Sequence, residues 1–245
     1  MAEGMTEMQV AFQEKHNSGT AWTRNDKFEK DGYLKVENLW DPEELYHPVP
    51  NLRGQLNYYD KNPDNFSHQD VENQVEGCVS RYWHPQYRNI HSGIRKKLED
   101  TLGRKLYNTY YYDRYYFPGQ ELKKHADRDA CEISVTVHVS TNLPDDLKDW
   151  PIKIKTPDKY TDKKKTSVLV PGEERSCVLN PGDGMIYKGC ERPHWRDAMP
   201  GIPVGKKSKK LFGKKQTEEY YYHQIFFHYV LQDGNRAHCA WDRSR

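Results

Sequence analysis

The residues with the most chemical content are His125 and Asp127, two positions apart in the segment KKHADRD. Two donors at i and i+2 project to one side of an extended chain, where they can share a metal ion. A third donor, His194, follows about 70 residues later in GCERPHWRD. Two neutral imidazoles and one carboxylate reduce the charge of a divalent cation. They also leave three coordination positions free for substrate and oxygen, a facial donor set suited to non-haem Fe(II). An isolated His-x-Asp arises often by chance and then sits on the surface, so the pair takes its meaning from what surrounds it.

Upstream stands Tyr116-Phe117-Pro118-Gly119-Gln120, with Tyr116 nine and Gly119 six residues before His125. Downstream, NPGDGMIYKG (180–189) reads as a turn and strand that deliver His194. In this order and spacing the chain resembles the 2-oxoglutarate- and Fe(II)-dependent dioxygenases of the prolyl 4-hydroxylase-like group. Their catalytic halves run Tyr-x-x-Gly, His-x-Asp, an apolar strand, Gly-Asp before a strand, and the second His. The resemblance spans roughly 105–232, with a helix over 88–103 in the place of the supporting helix. It implies a double-stranded β-helix (jelly roll), and Fe(II) held by His125, Asp127 and His194 as the catalytic centre. It further implies 2-oxoglutarate as co-substrate, O2 as oxidant and ascorbate as a reductant. The products would be a hydroxylated substrate, succinate and CO2. In the halogenating branch a small residue replaces the carboxylate, so Asp127 points to hydroxylation.

The distal carboxylate of 2-oxoglutarate needs a cation, best an Arg that binds it through two N–H groups. The family usually has Lys or Arg about ten residues after the second His, but Val204 stands there and Lys206 and Lys207 follow. Arg196 is the preferred anchor, because it lies two residues after His194 and shares its side of an extended segment. The alternative is a surface Arg paired with Asp197. His-Trp-Arg also recurs in phage-encoded relatives of this family. Tyr116 occupies the family's tyrosine position and could donate its hydroxyl to the same carboxylate, or serve as one more core aromatic.

The elements that must position these residues are mainly β. RNIHSGIRKKLEDTLG (88–103) places Ile90, Ile94, Leu98 and Leu102 at helical spacing and ends on Gly103. Short strands follow: KLYNTYYYDRYYF, ISVTVHVS, WPIKI, TSVLV, RSCVLN, GMIYKG and EYYYHQIFFHYVLQ, parted by Pro, Gly and Asp turns. A strand is expected within 31–40 and a short helix at PEEL, with loops and helical turns over 48–88. The division is an N-terminal elaboration (1–104) and a catalytic core (105–245), with the Tyr-rich segments 107–116 and 220–229 as the first and last strands of the barrel.

Composition agrees with half-buried sheets. The 245 residues hold only 44 Leu, Ile, Val and Phe, but 18 Tyr and 6 Trp, and the mean hydropathy is −1.08. Lys and Arg number 38 against 36 Asp and Glu, so charge gives no general reason to expect nucleic acid. No apolar run spans a membrane, no secretory leader is evident, and five scattered cysteines without CxxC imply reduced thiols. A cytoplasmic protein is expected. The basic segment KKSKKLFGKK (206–215) reads as a solvated loop, or as a lid or guiding patch for an acidic substrate.

The other polar residues receive plainer readings. His138, His223 and His228 lie within strands as packed histidines, and His238 and Cys239 lie on the surface. Asp129 and Glu132 flank the metal pair without binding it, and Trp195 either walls the substrate pocket or packs. The leading function is hydroxylation of a prolyl or other peptidyl side chain, or of an amino-acid-like small molecule. A nucleic-acid dealkylase of the same fold is opposed by the absence of an RxNxTxR-type pattern after His194 in this sequence. A metal-binding jelly-roll module without turnover is opposed by the intact three-ligand set.

Overall fold

The computed structural model describes residues 23–45, 74–75, 78–163, 166–201 and 220–242. The basic segment 206–215, with Lys206 and Lys207, lies outside them. The largest sheet has six strands, all antiparallel to their neighbours: β1 (Tyr33–Val36), β10 (Gly184–Tyr187), β5 (Ile133–Thr141), β12 (Tyr222–Leu231), β3 (Leu106–Tyr116) and β2 (Val79–Tyr82), in that spatial order. A four-stranded sheet runs β4 (Leu122–His125), β11 (His194–Arg196), β6 (Ile152–Lys155) and β9 (Glu174–Cys177). A separate ribbon pairs β7 (Lys159–Lys163) with β8 (Thr166–Val170). This is the double-stranded β-helix.

Two faces of the large sheet are buried for different reasons. On β5, Ile133, Val135, Val137 and Val139 meet the helix stripe Ile90, Ile94, Leu98 and Leu102 in one apolar core. That stripe belongs to the helix over Tyr87–Leu102, as the spacing predicts; among the described residues two shorter helices precede it, at Asp26–Asp31 and Pro42–Leu45. The long helix stops because Gly103 turns left-handed (φ 63°) and its N–H caps the Glu99 carbonyl at 2.9 Å. The opposite face of β5, with Ser134, Thr136 and His138, is also fully enclosed. There it looks into the barrel, toward Tyr222, Gln224, Phe226 and His228 of β12.

Segment 1–104 contributes β1 and β2 at the two edges of the large sheet and the long helix on its outer face. The sequence reading expected only loops and turns over 48–88, yet VSRY forms β2. Four residues are too few for alternation to be visible, and pairing with β3 fixes this strand. Tyr-rich β3 and β12 lie side by side along their length, with Tyr222 opposite Tyr116 and Phe226 opposite Tyr112.

Candidate metal and dicarboxylate site

The two histidines of the expected triad meet because their strands pair. His125 ends β4, His194 begins β11, and they are register partners across the four-stranded sheet, with ring centroids 4.4 Å apart. Asp127 follows β4 in extended coil, and its backbone N–H donates to the Gly189 carbonyl at 2.9 Å. Its Oδ1 lies 3.4 Å from His125 Nε2 and 3.5 Å from His194 Nε2. Donors held at about 2.1 Å from one ion at right angles stand about 3 Å apart, so the three atoms are close to the spacing a metal needs.

The orientation of each ring is fixed from behind. His125 Nδ1 donates to the Lys123 carbonyl at 2.7 Å, and His194 Nδ1 donates to the Arg192 carbonyl at 3.0 Å. With each Nδ1 proton committed to a carbonyl, Nε2 is the nitrogen that faces Asp127 and the one left to bind a metal. Burial alone would raise the Asp127 carboxyl, but the charge of His194 and hydrogen bonds from both histidines outweigh it and hold it well below the usual range. For His194, burial opposes protonation while the Asp127 carboxylate favours it, and the net direction is upward. A buried carboxylate drawing positive charge onto its neighbours is the electrostatic setting for a cation.

Arg196 lies two residues along β11 on the same side as His194. It is 1% exposed, so the alternative of a surface residue paired with Asp197 does not hold; Asp197 pairs with Lys153 instead. The guanidinium stacks on Trp150 (4.6 Å) and Tyr222 (4.7 Å), and its Nη1 donates to the Trp150 carbonyl at 2.5 Å. Its Nε and Nη2 have no hydrogen-bond partner, and no carboxylate pairs with it among the described residues. Tyr116 is buried beside this group, packed edge-on against Trp150 at 5.1 Å. Its hydroxyl accepts from Arg114 Nη1 at 3.3 Å and so keeps its own proton to donate.

The sequence pointed to the tyrosines of 107–116 and 220–229 as a group but did not single out several buried polar residues. The Tyr222 hydroxyl is buried and has no hydrogen-bond partner among the described residues. His138 stacks on it at 4.0 Å, with Nδ1 donating to the Leu179 carbonyl at 2.8 Å and Nε2 unpartnered. Gln224 donates to Thr136 Oγ1 at 2.6 Å and leaves Oε1 unpartnered. The signal was available: Ser134-x-Thr136-x-His138 and Tyr222-x-Gln224 put polar groups on one side of strands apolar on the other. A buried polar strand face must find polar partners or a ligand.

The plainer readings divide. His223 Nε2 meets Asp113 Oδ2 at 2.7 Å, while His138 and His228 bond through Nδ1 to the Leu179 carbonyl and the Ser134 hydroxyl. Glu132 is buried, with Oε2 accepting from the Leu231 N–H at 2.8 Å, and Asp129 is exposed beside Arg236. Trp195 points away from His194 and Arg196, and the Lys124 ammonium covers its ring at 4.0 Å. It therefore packs on the outside and does not wall the pocket, because alternate residues of a strand face opposite ways.

No family model matches the sequence, and no curated protein matches it. Solved structures do. A prolyl-4-hydroxylase from Pseudomonas putida matches with a TM-score of 0.50 at 13% identity, over 83% of this chain and 95% of that one. The non-haem α-ketoglutarate-dependent epimerase SnoN, from nogalamycin biosynthesis, matches with a TM-score of 0.51 at 10% identity, over 82% and 79%. This chain has their fold. At these identities the likeness is one of fold, and the chemistry rests on the residues above. Among the described residues no helix is long and apolar enough to cross a membrane.

Proposed function

We propose that the chain is an Fe(II)- and 2-oxoglutarate-dependent dioxygenase that hydroxylates a C–H bond of its substrate. The observation that carries this reading is a pair of complementary features at the two ends of one short strand, β11. At one end, two Nε2 atoms and a carboxylate oxygen converge. At the other, Arg196 offers two N–H-bearing nitrogens that have neither a hydrogen-bond partner nor a carboxylate neighbour among the described residues. A buried guanidinium left so is costly unless an anion completes it.

His125, Asp127 and His194 would hold the iron, and Arg196 would take the distal carboxylate of 2-oxoglutarate, with the Tyr116 and Tyr222 hydroxyls as further donors. When bound, iron would supply O2 activation coupled to oxidative decarboxylation, so that substrate, 2-oxoglutarate and O2 become hydroxylated substrate, succinate and CO2. The protein's own part is placement. Backbone carbonyls hold both imidazoles by Nδ1, Trp150 and Tyr222 fix the guanidinium plane, and Ile154, the register partner of His194, packs with Ile152, Leu179 and Met185 in an apolar cluster. The substrate class is a prolyl or other peptidyl side chain, or an amino-acid-like molecule, in keeping with the hydroxylase that shares the fold.

Anaerobic addition of Fe(II) and 2-oxoglutarate should give the weak visible charge-transfer band of a chelated 2-oxo acid, and O2 should then release succinate. The band should be absent in His125→Ala and Asp127→Ala. If wild type gives no band, or if those two variants keep it, the oxygenase reading is wrong.

A further inference from the structure

Behind Asp127 lies a second set of contacts that the expected ligand roles do not use. Asp127 Oδ1 faces the two histidines, while Oδ2 lies 3.0 Å from the Ser134 hydroxyl. That hydroxyl also stands 3.0 Å from His228 Nδ1 and 3.2 Å from the Cys131 carbonyl. Serine has one proton to give, and a carboxylate outcompetes a neutral carbonyl for it. His228 must then be the donor to the serine oxygen. The order is His228 Nδ1–H to Ser134 Oγ, and Ser134 O–H to Asp127 Oδ2.

His228 is held for this role. Its ring packs against Tyr110 at 4.5 Å and Tyr112 at 5.9 Å, and its backbone carbonyl accepts from His91 Nε2 at 3.1 Å. The space beside the relay is kept by Gly189, where a Cβ would fall 2.5 Å from Ser134 Oγ and 2.6 Å from Asp127 Oδ2. Any other residue there would push into the carboxylate or the serine.

We infer that Ser134 and His228 are positioning residues that tie up Asp127 Oδ2, so that the carboxylate meets a metal through Oδ1 alone. The consequence is coordinative. A carboxylate free to use both oxygens would close one of the three positions that a bidentate 2-oxo acid and O2 need. This inference rests on the metal-centre reading above, and its test separates the two.

The test uses Mn(II) bound to the full-length protein and water-proton relaxation, which reports the number of exchangeable waters on the ion. In Ser134→Ala the relaxation enhancement per bound Mn(II) should fall by about a third, as three open positions become two. Mn(II) affinity should hold or tighten, and 2-oxoglutarate affinity should weaken by about tenfold. Ser134→Thr, which keeps the hydroxyl, should restore both. His228→Phe, which keeps the ring and loses the N–H, should move both in the same direction by less and guards against a folding defect in the serine variant. An unchanged enhancement and 2-oxoglutarate affinity in Ser134→Ala would overturn the positioning role. So would weaker Mn(II) binding with the enhancement per bound ion unchanged. Failure of the metal-centre reading looks different: Mn(II) would then bind wild type and His125→Ala alike.

Discussion

Replacing Arg196 with Met separates the anchor's two energetic roles. The side chain is buried, stacked between Trp150 and Tyr222, and has no carboxylate partner among the described residues. In the ligand-free protein the guanidinium is an uncompensated buried charge, so an apolar residue of similar length should leave stability unchanged or improve it. With 2-oxoglutarate bound, truncating one partner of a buried charge pair costs about 2–5 kcal/mol, a factor of roughly 30 to several thousand in Kd. Thermal unfolding with Mn(II) reads both effects. At a ligand concentration one hundred times the wild-type Kd, binding stabilises wild type by about 2.7 kcal/mol, and a hundredfold weaker variant by about 0.4 kcal/mol. For a chain of this size the ligand-induced rise in Tm should shrink from roughly 5–10 °C to about 1–2 °C. Metal affinity should be unmoved, because Arg196 touches none of the three ligands. A variant that keeps the full ligand-induced rise would refute the assignment. So would Lys206→Ala or Lys207→Ala abolishing that rise while Arg196→Met does not.

Two further outcomes follow from buried polar groups away from the pocket. Burial pushes His91 down to about 3, so it is neutral in the fold but protonated in the unfolded chain below about 6.5. The unfolded state then binds the extra proton, and stability falls as pH drops from about 6.5 toward 3 by up to about 1.4 kcal/mol per pH unit. Urea unfolding of His91→Phe between pH 6.5 and 5 should show that much less slope, and an unchanged slope would contradict it. Arg81 and Asp113 form an enclosed ion pair (Nε to Oδ1 2.9 Å) that His223 completes. Arg81→Met should destabilise by about 3–5 kcal/mol, and Arg81→Met with Asp113→Leu should recover much of it. Equal losses in the single and double variants would show that the stranded carboxylate is not the cause.

The sequence made some layers of this molecule legible and hid others. The long helix announced itself because Ile90, Ile94, Leu98 and Leu102 repeat at its period and Gly103 ends it. Strands of eight residues or more were equally open, since their alternation is long enough to see. His125 and Asp127 could be paired because they are neighbours in the chain, but His194 became their partner only through the antiparallel register of β4 and β11, which no local pattern encodes. Arg196 was a choice among cations, and its burial against Trp150 depends on a loop 46 residues upstream. Ser134, His138, Tyr222 and His228 stayed out of view for another reason. A buried strand residue with a polar side chain looks the same in sequence whether a neighbour satisfies it, as the Ala130 carbonyl does Thr109, or whether it faces a ligand.

That ambiguity also accounts for the scarcity of aliphatic residues. In an open sheet one face is apolar and the other is wet, but the central strands of this barrel have both faces enclosed. β5 and β12 give one face to the helix, filled by valine, isoleucine and phenylalanine, and turn the other into the barrel. The inner face must be large enough to fill space and polar enough to hold a carboxylate and a cation, and tyrosine meets both needs. Its cost is a hydroxyl that requires a partner. Tyr87, Tyr111 and Tyr229 donate to the carbonyls of Leu45, His84 and His91, and Tyr110 meets Cys131. Tyr222, beside Arg196, has none. The exception is informative: it stands where an anion would complete both the phenol and the guanidinium.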